Sequence, residues 1–262
     1  MDIAHHSTLS KQLREVIIDV NTLPDPNHEG IHVSPPIGVY YQSDVVPRDV
    51  LIHTGQARDM LVEAFSKLPN LRTVGLRDYD GAGRDRDGET SRWRSAGWSF
   101  GMPAGLTGHQ RVHGSPQTLL ALILYSIGLA HATPTNIEVF LRRRLKLTPA
   151  SFVLHGYLGL KVKPVLAGLK TLMLTVGHDA DTFDAADPPS GVLQAPLQRF
   201  LRHTPNLETL RLNFDQDDCL AHPFLQWFGK PANYTAQAVE DSNEHVAPLN
   251  LGMLNRLDIG KY

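Results

Sequence analysis

The densest run of ionisable side chains is residues 77–89, Arg-Asp-Tyr-Asp-Gly-Ala-Gly-Arg-Asp-Arg-Asp-Gly-Glu. Its carboxylates and glycines resemble the make-up of a calcium loop. Aligning Gly88 on the glycine of such a loop puts Gly83 where the first carboxylate belongs and Arg94 where the bidentate glutamate belongs, so the shell of oxygen ligands cannot form. Alternating charges among turn residues predict instead a solvated loop that neutralises itself locally. A loop leaving the end of a strand is also where a binding edge is expected. Arg77, Asp78, Arg84, Arg86 and Trp93 are its candidate partner contacts.

The other reactive side chains do not assemble into a mechanism. The chain has 13 histidines, and His109 and His113 stand at helical i, i+4 spacing, but Gln110, Arg111 and Val112 lie between them, so the glutamate of a zinc protease is missing. His5-His6 and His178-Asp179 are isolated pairs with no third ligand. Cys219 sits among Asp217, Asp218 and Leu220, where the carboxylates raise a thiol pKa and disfavour a nucleophile. No G-x-S-x-G elbow occurs. Arg142, Arg143, Arg144 and Lys146 form the basic run, with Phe140 the nearby aromatic, and read as a solvated face rather than a nucleic-acid track. No catalytic residue, metal or cofactor is expected, and no nucleic acid.

Composition narrows the setting. With 262 residues, 42% of them hydrophobic, the chain can bury a substantial core, and a net charge of -2 supplies no field to draw it onto nucleic acid. One cysteine excludes an intramolecular disulfide and points to a reducing compartment. The start of the chain lacks a basic segment followed by an apolar one, and residues 118–130 are too short to span a bilayer and include Tyr125 and Ser126, so a cytoplasmic or nuclear protein without a membrane partner is expected. Asn233-Tyr234-Thr235 matches a glycosylation sequon, by chance in that setting.

The elements that must position these residues follow one pattern, apolar at i, i+3 and i+5, the mark of the strand in a leucine-rich repeat. It occurs at Leu13, Val16 and Ile18; at Leu71, Val74 and Leu76; at Leu169, Leu172 and Leu174; at Leu207, Leu210 and Leu212; and at Leu254, Leu257 and Ile259. The wording recurs too, Leu-Pro-Asn-Leu-Arg-Thr-Val-Gly-Leu from Leu68 against Thr-Pro-Asn-Leu-Glu-Thr-Leu-Arg-Leu from Thr204. Asn21 and Leu23 complete the full repeat in the first copy, whereas Tyr79, Gly177, Asp215 and Tyr262 replace the turn asparagine in the others. The copies begin 58, 98, 38 and 47 residues apart, so the array is irregular and the longest gap predicts a hidden unit. A strand over 136–141 is the candidate, with a second extended stretch over 151–154.

Helical spacing appears between the strands. Leu61, Ala64, Phe65 and Leu68 share a face behind Asp59 and Glu63; Leu193, Leu197, Phe200 and Leu201 share another. Residues 119–129 are apolar nearly all round, which predicts a helix sandwiched between layers. A unit of helix, turn and strand cannot bury its own apolar face, and stacking does so. The competing architecture is an ordinary α/β enzyme, but no glycine-rich turn of the kind a doubly wound fold needs follows Ile18 or Leu76.

Residues 68–78, the loop ending in Trp93-Arg94-Ser95-Ala96-Gly97, and more weakly 166–172 and 200–202 resemble fungal F-box proteins with degenerate leucine-rich repeats. The resemblance implies repeats that capture substrates beside an F-box that docks on the Skp1 adaptor of a cullin ubiquitin ligase. Here the first repeat strand begins at Leu13 and nothing later resembles an F-box, so Skp1 is a partner only if an F-box lies upstream. The expectation is one α/β domain over 1–262, an open, irregular leucine-rich-repeat-like solenoid of helix-strand units. Its function is expected to be protein-protein interaction, through the charged loop and exposed strand positions such as Arg211 and Asn213. The alternatives are a truncated ligase substrate receptor and an unrecognised α/β enzyme.

Overall fold

The computed structural model describes residues 2–19, 48–77, 116–141, 146–177, 195–214, 221–229 and 251–261. Six strands form one parallel sheet whose spatial order is the order of the chain: β1 (Glu15–Asp19), β2 (Thr73–Arg77), β3 (Asn136–Phe140), β4 (Thr171–Val176), β5 (Thr209–Phe214) and β6 (Arg256–Lys261). The sheet is not closed, since β1 pairs only with β2 and β6 only with β5. All five strands marked by the leucine pattern are present.

The hidden unit is β3. Its apolar residues are Pro134, Ile137 and Val139, with buried Pro134 in the place that leucine holds at Leu71, Leu169 and Leu207. A search for leucine passes over a proline, although either fills the turn before a strand. The expected extended stretch over 151–154 is corrected in its first half: a 3-10 turn, Pro149–Phe152, covers 151–152, and the backbone is extended at Val153 beyond it. Pro149 fixes its own φ and starts the turn, and Phe152 is driven into the core against Phe200, ring centroids 5.4 Å apart.

One side of the sheet carries the core. Val74, Leu76, Ile137, Val139, Leu172, Leu174, Leu210 and Leu212 alternate along the strands and are each at most 2% exposed. Side chains two apart in a strand share a face, so this row structure follows from the sequence period. Above them lie α4 (Gln56–Ser66), α5 (Pro116–Leu129), α6 (Gly156–Ala167) and α7 (Ala195–Leu201). The α4 face buries Phe65, with Leu68 just beyond the helix and Leu61 partly covered. On α7, Leu197, Phe200 and Leu201 are buried, while Leu193 lies outside the described residues.

The helix α5 is not sandwiched between layers as its apolar surface predicts: it lies within the one helix layer, flanked by α4 and α6 and touching β2, with Leu122, Tyr125 and Leu129 partly exposed. The approach of α6 is close enough that Gly128 is required: a Cβ there would stand 2.7 Å from the carbonyl oxygen of Lys161. Each fully buried leucine or phenylalanine in this layer contributes about 1.5–3 kcal/mol relative to exposure. The smaller helices α1 (Asp2–His5), α2 (Leu9–Gln12), α3 (Arg48–His53) and α8 (Ala221–Phe228) complete the described elements. No helix among the described residues is long and apolar enough to cross a membrane.

Two hydrogen-bond arrangements repeat from unit to unit. At every strand entry one carbonyl accepts two successive N–H groups of the next unit: Arg14 O from Arg72 and Thr73, Arg72 O from Thr135 and Asn136, Thr135 O from Lys170 and Thr171, Lys170 O from Glu208 and Thr209, and Glu208 O from Asn255 and Arg256. The recurring Pro-Asn-Leu wording has a matching contact. Asn70 Nδ2 donates to the carbonyl of Lys11 at 2.6 Å, and Asn206 Nδ2 to that of Ala167 at 2.8 Å, each tying a unit to the helix end before the preceding strand. These contacts satisfy carbonyls that a helix terminus leaves without partners.

Candidate binding surface on the outer face of the sheet

The other face of each strand turns away from the helix core, and the parallel register lines its residues up in rows. Glu15, Thr73, Asn136, Thr171, Thr209 and Arg256 form the first. Ile17, Gly75, Glu138, Met173, Arg211 and Asp258 form the second. In the third, Arg77 pairs with Phe140 on one side of the sheet, and Thr175, Asn213 and Gly260 align on the other. Charged and hydrogen-bonding residues dominate these rows, in contrast to the leucines behind them.

Arg77 is anchored at the end of β2. Its Nη2 lies 3.5 Å from Glu138 Oε2 and 4.0 Å from Glu15 Oε1, and its side chain is only 9% exposed. A buried pair of this kind adds little net stability against an apolar replacement, but removing one partner strands the other charge at a cost of about 3–5 kcal/mol. Arg77 thus joins β1, β2 and β3 across the face.

Phe140 lies between two guanidinium groups. Arg77 Cζ and Arg211 Cζ each stand 5.9 Å from the ring centroid. Asn213 Oδ1 accepts a hydrogen bond of 3.3 Å from Arg211 Nε, so the guanidinium of Arg211 is held at two points. Its Nη nitrogens donate to nothing among the described residues. Asn213 is fully buried, and its Nδ2 also has no hydrogen-bond partner among the described residues. Asn213, expected to be exposed, is instead fully buried, with Oδ1 accepting from Arg211 Nε and Gly260 so near that a Cβ there would meet Oδ1 at 2.6 Å.

At the end of this face the β3–β4 ladder stops after Glu138 and Met173. Thr175 takes over. Its hydroxyl accepts from Leu141 N at 3.2 Å and donates to Val139 O at 3.3 Å, while Leu147 N donates to Thr175 O. One side chain therefore supplies the pairing that two backbone groups of β3 would otherwise lack.

The sequence expectations divide as follows. Arg77, Arg211 and Asn213 fall on this face, with Arg77 and Arg211 joined through Phe140 and Arg211 through Asn213. Asp78, Arg84, Arg86 and Trp93 lie outside the described residues, as do His109, His113, His178, Cys219, Asn21 and the run 142–144. Phe140, Glu138 and Glu15 were missed as site residues, although strand alternation within Asn-Ile-Glu-Val-Phe already sends Glu138 and Phe140 to the face opposite Ile137 and Val139.

Elsewhere, His5 Nε2 and Lys67 Nζ meet Glu63 Oε1 at 2.9 and 2.7 Å, tying α1 to α4. Lys67 first, then His5, holds the Glu63 carboxyl below its ordinary pKa. Among the described residues no group of three histidine, cysteine or carboxylate side chains is arranged to hold a metal ion. No family model, curated protein or solved structure matches the chain.

Proposed function

We propose that the chain is a protein-protein interaction domain without catalytic activity, an open, irregular leucine-rich-repeat-like stack whose outer sheet face holds the partner. The observation that carries this reading is the unbroken strand order β1 to β6, with the hydrophobic core of the described residues on the helix side of the sheet. Doubly wound α/β enzymes bind ligands at a crevice where the strand order reverses. The order of these six strands has no reversal, and its polar outer face is buried at Thr73, Arg77, Glu138, Thr175 and Asn213 but partly exposed at Thr171, Met173, Thr209 and Arg211. The repeated carbonyl fork at each strand entry supports the same reading, because it makes each unit the template for the next.

On that face Arg211 is the leading contact, with Asn213 and Arg77 as the groups that set its surroundings. Asp78, Arg84, Arg86 and Trp93 belong to the proposal on their sequence alone. Binding through a few arginine and aromatic anchors is the usual economy of an interface. The test is charge reversal with quantitative recovery of co-purifying proteins. Arg211→Glu depletes a defined set of them, while Lys163→Glu, on the exposed side of α6, leaves the set unchanged. Equal profiles for both variants remove the outer face from the proposal, and reversal of Arg84 and Arg86 tests the loop separately. The ligase-receptor reading rests on the resemblance of 68–78 and is tested by recovery of Skp1.

A further inference from the structure

We infer that Arg211 and Asn213 form a carboxylate-binding site on the outer face, made for an aspartate or glutamate side chain of an acidic partner segment. The inference rests on the interaction-domain reading and gives it a ligand chemistry. Two observations carry it. The guanidinium is fixed before any ligand arrives, by Asn213 Oδ1 on Nε and by the face of Phe140. Its two terminal nitrogens are unengaged among the described residues, and together they present the planar fork that matches a carboxylate with two parallel hydrogen bonds.

The charge balance selects the ligand. Among the described residues of this face, Arg77 is committed to Glu138 and Glu15, and Arg256 to Asp258 at 2.9 Å. Among the described residues of the face only Arg211 has no carboxylate in ion-pair contact, although Asp258 is its register partner on β6. One unit of charge suits a monoanionic carboxylate, whereas a phosphate dianion needs a cluster of cations.

The site is read directly by NMR of the Arg211 side-chain Nε–Hε in the full chain, titrated with acetyl-Gly-Glu-Gly-amide, its glutamine counterpart and inorganic phosphate at constant ionic strength. The glutamate peptide shifts the Arg211 resonance saturably, with at least tenfold lower half-saturation than the glutamine peptide or phosphate. Phe140→Leu, which keeps an apolar side chain but removes the aromatic face, weakens that response several-fold while the backbone spectrum stays folded. Equal shifts with the glutamine peptide, or a stronger response to phosphate, overturn the inference. So does an unchanged response in Phe140→Leu. This readout needs no natural partner, so it separates the two claims. A silent Arg211 beside an Arg211→Glu variant that still loses its co-purifying proteins sinks the carboxylate site alone; a responsive Arg211 with an unchanged set of proteins sinks the interaction reading alone.

Discussion

The guanidinium carbon of Arg211 stands 5.9 Å from the centre of the Phe140 ring, although β4 lies between the strands that carry them. The contact spans three strands and places an aromatic face under a cation that is otherwise held only by Asn213. An interaction of this kind is worth about 0.5–2 kcal/mol, growing as water is excluded. Together with the Nε hydrogen bond to Asn213 it fixes the guanidinium at two points.

Gly128 tests the contact of α5 with α6. Glycine to alanine inside a helix ordinarily stabilises by about 1 kcal/mol. Here the new Cβ would meet the backbone carbonyl of Lys161 at 2.7 Å, which cannot swing away as a side-chain end could. Gly128→Ala is therefore expected to destabilise by about 1–3 kcal/mol, seen as a lower urea midpoint at unchanged slope. A higher midpoint would show that the helices are further apart.

Thr175 tests the seam between β3 and β4. Valine has nearly the shape of threonine but can neither accept from Leu141 N nor donate to Val139 O. Leaving these buried groups unmatched costs about 1–3 kcal/mol, so Thr175→Val lowers the melting temperature and speeds amide exchange at Leu141. Thr175→Ser retains most of the stability.

Asn70 and Asn206 test the repeated tie between units. Each alanine replacement is expected to cost about 0.5–1.5 kcal/mol in chemical denaturation, the net value of one hydrogen bond. Because three strand spacings separate the two units, the double variant loses the sum of the single losses. A loss at one position only would mean that the shared Pro-Asn-Leu wording serves different purposes.

His203 gives the expected pH dependence. Burial, with help from Lys163 and Arg202, lowers its folded pKa from the ordinary 6.5, so the unfolded chain takes up the proton more readily. The neutral ring's contribution is complete above pH 6.5 and is lost as pH falls from there toward the lower folded value. Melting temperature measured across that interval declines in the natural chain and declines less in His203→Gln. Equal slopes would remove His203 from the account.

Much of this architecture is legible in the sequence because the strand units impose a short, strict period. Leu71, Leu169 and Leu207 are all buried where the pattern puts them, and α5 forms as a largely buried helix flanked by α4 and α6. Pro134 hid the third strand, because shape rather than residue name satisfies that turn position. The outer face was only partly legible. Alternation marks Arg211 and Asn213 as facing away from the core, but it does not foretell that Asn213 is fully buried or that Gly260, far along the chain, lies against its Oδ1. The bridge from Phe140 to Arg211 depends on strand order, which no local pattern contains. Which strands become neighbours is decided by packing over the whole sheet.

A photo-crosslinking scan tests the central claim most directly, with benzoylphenylalanine placed singly at Thr171, Met173 and Thr209 on the outer face and at Leu160, Lys163 and Gln226 on the helix layer. The account predicts that partner adducts concentrate at the three outer-face positions and vanish there on Arg211→Glu. Adducts concentrated on the helix layer, or outer-face adducts indifferent to Arg211→Glu, would contradict it.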